Sequence, residues 1–64
     1  MNKAQIYQLA PKARLAHSIT AYSLDQAVRE CCALFSIEEE DKLVLIGPGR
    51  YTFTVGVKVY ELSY

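Results

Sequence analysis

The 64-residue chain is expected to fold as an α+β domain: a small antiparallel sheet with one helix packed on one face, in the order ββαββ. Three observations lead there. SLDQAVRECCALF carries a capped helical period, HSITAY before it alternates like a strand, and after it KLVLI and YTFTVGVKVYELSY are β-favouring runs divided by GPGR. A single domain over 1–64 follows from the length, and a chain this short buries only about 60% of its unfolded surface.

The first element is the least defined. In AQIYQLAPKARLA a strand over about 3–9 is preferred, with Pro11 and Lys12 in a loop. A helix capped by Asn2 is the rival, because Ala, Gln, Leu, Lys and Arg favour helices; the order would then be αβαββ, or βαββ if these residues form neither. In HSITAY, Ile19 and Ala21 alternate with Ser18 and Thr20, which makes a second strand leading into the helix.

The helix is expected over about 24–35. Ser23 and Gln26 form a capping box, each side chain able to satisfy the other's backbone N–H. Leu24, Ala27, Val28, Cys31, Leu34 and Phe35 follow i, i+3, i+4 spacing as one apolar stripe, with Asp25, Gln26, Arg29, Glu30 and Ala33 opposite. Ser36 and Glu39 suggest a second capping box over one turn. KLVLI, 42–46, reads as a buried strand, and GPGR as a hairpin tip with Pro48 and Gly49 central in a type II turn and Arg50 exposed.

The last stretch, from Tyr51, changes phase. Tyr51, Phe53, Val55, Val57 and Val59 are apolar on odd positions, then Tyr60, Leu62 and Tyr64 on even ones. A single strand would turn its second apolar set to the opposite face, unless a β-bulge restores the register. Val55, Val57 and Val59 are then expected to meet the helix at Leu24, Val28, Cys31 and Phe35. Tyr60, Leu62 and Tyr64, with Lys58 at the rim, become the candidate partner-binding residues.

Candidate chemistry is thin. Cys31 and Cys32 lie far from the helix N-terminus that would stabilise a thiolate, Cys31 points into the stripe, and adjacent cysteines face poorly for bonding each other. They read as core residues. With His17 they make only three soft metal ligands at unsuitable spacing, so no metal is expected. His17 has no catalytic context and reads as structural. Glu38, Glu39, Glu40 and Asp41 lack the alternation and central glycine of a calcium loop and read as a solvated turn. GPGR lacks the phosphate-loop pattern. No cofactor and no enzymatic activity are expected.

The formal charge is zero but unevenly placed: +3 over residues 1–22, −5 over 23–41 and +2 beyond. The first residues carry no apolar core of a secretory signal, and no run approaches a membrane span, so a cytoplasmic protein is expected. The length, the capped helix and YTFTVGVKVYEL give a layout similar to dodecins, small flavin carriers that assemble into shells. Flavin stacking there uses tryptophan, which this chain lacks, so flavin binding is not implied. The layout also resembles tiny virus-encoded inhibitors, including anti-CRISPR proteins.

The function expected is a non-catalytic protein-interaction module, a small inhibitor or adaptor, self-associating as a homo-oligomer. Five tyrosines, Tyr7, Tyr22, Tyr51, Tyr60 and Tyr64, suit an interface. The alternative is nucleic-acid binding on an open sheet face carrying Thr52, Thr54, Gly56, Lys58 and Tyr60, with Lys3, Lys12 and Arg14 nearby.

Overall fold

A computed structural model describes residues 2–64 and places them in one antiparallel sheet with one helix across a face. The elements run β1 (Asn2–Ala10), β2 (Arg14–Ala21), α1 (Leu24–Leu34), a 3-10 turn (Glu40–Lys42), β3 (Val44–Gly47), β4 (Arg50–Val55) and β5 (Lys58–Ser63). The sheet order is β2-β1-β5-β4-β3, so β5 returns to the centre beside β1 and the edges are β2 and β3. The α+β class holds, and the first residues are strand rather than helix. The order gains one strand, because the final stretch is two strands.

That stretch folds back on itself at Gly56 and Val57. Val55 pairs with Lys58, Phe53 with Tyr60 and Tyr51 with Leu62. Gly56 takes the first central position of the two-residue turn at φ +63°, as a type II′ turn requires. Neither a bulge nor an overrunning strand is needed to explain the phase change. Cross-strand partners share a face, and here each odd residue of β4 meets an even residue of β5. Both apolar sets therefore point the same way, toward α1. Val57, expected under the helix, is 88% exposed in the turn, and Val59 pairs with Thr54 on the opposite face.

The core lies between α1 and the sheet. Ala4 and Ile6 of β1, Ala21 of β2, Phe53 of β4 and Tyr60 and Leu62 of β5 meet Ala27, Val28, Cys31 and Cys32 of α1, with Leu43 sealing one side. Alanines at three of these positions allow the helix backbone to sit close to the sheet. Phe53 and Tyr60 stack at 5.3 Å across the β4–β5 pair, and Phe35 caps them at 5.2 and 4.6 Å. Such aromatic contacts add to the area they bury. The buried stripe is displaced slightly from the expected one: Cys32 is inside and Leu34 is exposed.

Both ends of α1 are closed by hydrogen bonds. The Gln26 backbone N–H donates to Ser23 Oγ at 3.2 Å, as the capping box requires. Its reciprocal arm shifts by one residue, Gln26 Oε1 accepting from the Tyr22 N–H at 2.8 Å. At the other end Ile37 N–H donates to Cys32 O at 2.8 Å and Ser36 N–H to Ala33 O at 3.4 Å, a Schellman motif. Ser36 thus terminates the helix at φ 56° instead of opening a second capping box; Glu39 precedes the 3-10 turn without a side-chain cap.

A serine in this left-handed position is strained, because its Cβ crowds the following carbonyl. Ser36→Gly is expected to raise stability by about 0.5–1 kcal/mol in urea unfolding. A neutral or destabilising result would show that Ser36 makes a compensating contact.

Candidate protein-interaction surface

Two of the four residues expected as partner contacts are in the core. Leu62 is fully buried and Tyr60 is 6% exposed, because the hairpin aims both at α1. Neither can contact a partner without unfolding. Tyr64 is half-buried, its N–H donating to Gly49 O at 2.8 Å and its ring packed against the core. Gly49, at φ +67° in the 47–50 turn, lies so close that a Cβ there would sit 3.2 Å from the Tyr64 carbonyl oxygen. Lys58 is exposed beside the hairpin tip, apart from the others. The four do not assemble into one surface.

β3 presents consecutive apolar side chains to solvent, whereas Leu9, Leu15, Tyr22, Leu34 and Val57 are exposed elsewhere. Expected to be a buried strand, it is an edge strand with Val44 57%, Leu45 60% and Ile46 49% exposed. Only Leu43, just before it, is buried. The reason is lateral position: among the strands α1 comes nearest β2, at the opposite edge of the sheet, and leaves β3 uncovered. One side of β3 pairs with β4, Val44 opposite Thr52 and Leu45 opposite Tyr51, while its outer backbone groups face no strand among the described residues. Ile46 is the extra residue where the register slips before Gly47.

The pairing assigns the faces of β3. Leu45, beside Tyr51, lies on the helix side, and Val44, beside Thr52, on the open side. Over Tyr51 a cleft of about 440 Å³ is lined by Leu24, Asp25, Val28 and Glu40. Arg29 spans its acids, reaching Asp25 at 2.8 Å and Glu40 at 3.9 Å. The acidic residues Glu38, Glu39, Glu40 and Asp41 stand at the entry of β3, whereas Arg50 stands at its exit, opposite Gly47. Arg50 also holds Glu61 through two contacts of 3.2 Å on the open face.

The other edge is blunted. β2 bulges at Ala16, between the pairs Ile6–His17 and Tyr7–Leu15, and carries Arg14, His17, Ser18 and Thr20. Bulges, charges and polar side chains are the usual protections of an edge strand. Between β2 and α1 runs a second cleft of about 400 Å³, lined by Ile19, Thr20, Glu30, Ala33 and Leu34.

The sheet's open face is largely polar. Thr52, Thr54 and the Arg50–Glu61 pair lie there with Tyr7, whose hydroxyl donates to Gln5 Oε1. Tyr60, counted on for base stacking, faces the other way. Lys58 pairs with Val55 and shares the helix side as well.

Cys31 and Cys32 are free and buried. Burial, and secondarily the neighbouring Cys32, pushes the Cys31 thiol up to about 12. Cys32 is raised by burial and then by Glu40. Both effects suppress the thiolate needed for nucleophilic chemistry. His17 is exposed on β2, edge-on to Phe35 at 5.5 Å. Among the described residues no group of three or more His, Cys, Asp or Glu side chains gathers as a metal site would. Among the same residues no helix is long and apolar enough to cross a membrane.

Sequence reasoning found the strand but missed its exposure, because a continuous apolar run is the usual mark of a strand covered on both faces. The available counter-signal was its brevity, with Pro48 immediately beyond, since short strands and nearby prolines are common at edges. No protein-family model matches the chain, and no curated protein or solved structure matches it.

Proposed function

We propose that the protein is a non-catalytic interaction module, of the inhibitor or adaptor kind, that engages its partner by strand addition at β3. One observation carries this reading. Three consecutive apolar side chains, Val44, Leu45 and Ile46, are each about half exposed on an edge strand whose outer backbone groups lack a strand partner. An added strand would satisfy those groups, and alternate side chains would supply selectivity. The nucleophilic candidates, Cys31 and Cys32, serve packing, which supports a role in binding rather than catalysis.

The reading is tested with immobilised wild type and Leu45→Lys in parallel, each exposed to extract of the source cells and analysed by mass spectrometry. Leu45 is exposed, so the variant is expected to fold, which far-UV circular dichroism checks. Partners of the wild type should be retained at least about tenfold less by Leu45→Lys, equivalent to some 1.4 kcal/mol. Identical sets on both proteins would overturn strand addition at this edge.

A further inference from the structure

An edge strand selects its occupant by side-chain pattern and by the charges at its two ends. We infer that the occupant of β3 is β3 of a second copy, running antiparallel across a two-fold axis normal to the sheet. This rests on the strand-addition reading and names its partner.

The charge pattern favours this arrangement. VLIG carries no charge, so self-pairing sets no like charges opposite one another within the strand. The four acids of residues 38–41 precede β3, offset there by Lys42, and Arg50, already paired with Glu61, follows it beyond the turn. Antiparallel pairing brings the acidic end of each copy toward the Arg50 end of the other, twice. Parallel pairing would bring acid beside acid.

Shape points the same way. A two-fold normal to the sheet keeps both helices on one face and brings the two Leu45 side chains together there. The cleft over Tyr51 borders them on the helix side, walled by Leu24 and Val28 and by the acids Asp25 and Glu40. Symmetry supplies the remaining reason. A β3–β3 contact is isologous and closes at two copies, whereas β3 on β2 would be heterologous and could propagate. The bulge at Ala16 disfavours that second contact on the β2 side.

The paired segment is short, so the dimer is expected at the low end of interface size, with Kd on the order of 10–100 μM. Sedimentation equilibrium from micromolar to millimolar concentration measures it. Amide hydrogen exchange of residues 44–46, at both concentration extremes, locates the contact without mutation. Wild type should pass from monomer to dimer with rising protection in β3. Leu45→Lys should stay monomeric, and Leu45→Met, which keeps the apolar surface, should dimerise as wild type does.

A wild type that stays monomeric overturns the second copy as occupant. Strand addition survives that result if Leu45→Lys still loses a partner from extract, and falls with it if nothing is lost. A dimer that persists in Leu45→Lys without protection in β3 also overturns the inference, placing self-association on the open face or the α1–β2 cleft.

Discussion

Replacing Leu62 by alanine is expected to lower the unfolding free energy by roughly 2–5 kcal/mol, the cost of a buried leucine truncated within a packed core. Leu62 has no exposed surface and lies between Ile6 on β1 and Tyr51 on β4. It belongs to β5, the strand that joins the hairpin β1–β2 to the meander β3–β4–β5. A cavity there is bounded by backbone on both sides in the sheet plane, which limits collapse. A domain of this size has a total stability of roughly 3–10 kcal/mol, so the loss removes a large share of it. Urea unfolding followed by circular dichroism measures the loss. The control is Val57→Ser at the exposed hairpin tip, where a change within about 0.5 kcal/mol is expected. A loss below about 1 kcal/mol at Leu62 would contradict its place in the core. The double change Tyr60→Ser/Leu62→Ser is for the same reason a test of folding, not of association.

The helix was legible in the sequence because its signals are local: a serine cap, a 3.6-residue period and an end within eleven residues. The 47–50 turn was legible for the same reason, since Pro48 and Gly49 each meet one dihedral requirement. The hairpin at Gly56 and Val57 was hidden, because Gly-Val is not among the strong hairpin dipeptides and the valines on either side continue the alternation. Its trace was the parity change itself. A two-residue turn pairs residues whose numbers sum to an odd value, so an inward set on odd positions must return on even ones. The exposure of β3 left only a faint trace, its brevity and Pro48 just beyond. Whether an apolar strand is central or at an edge depends on strand order and on where the helix lies, and four residues encode neither. The candidate surface moved accordingly, from Tyr60 and Leu62 to Val44, Leu45 and Ile46.

Alkaline pH is expected to destabilise the fold through Cys31, and replacing that residue should remove most of the effect. Its thiol stands at about 12 in the folded chain against an ordinary value of 9.0, chiefly because burial among Ala27, Val28 and the sheet disfavours the thiolate. A group whose pKa is raised by folding stabilises the fold fully below the unfolded value, and that stability is lost as pH rises toward the folded value. The window is therefore pH 9 to about 12. Each pKa unit corresponds to 1.36 kcal/mol, so the loss across the window is on the order of 2–4 kcal/mol. Cys32, also raised, adds in the same direction. The informative quantity is a difference between two proteins. Urea unfolding of wild type and Cys31→Ala at pH 8 and pH 10.5 separates the cavity cost, present at both, from the titration, present only at the higher pH. The wild type should lose more than Cys31→Ala by about 1–2 kcal/mol between the two pH values. Thiol labelling gives an independent readout: both cysteines should react slowly in the native protein at pH 8 and fast in denaturant. Equal pH dependence in the two proteins, with rapid native labelling of Cys31, would mean that the α1–sheet interface opens readily, and the rigid support on which β3 is displayed would be lost with it.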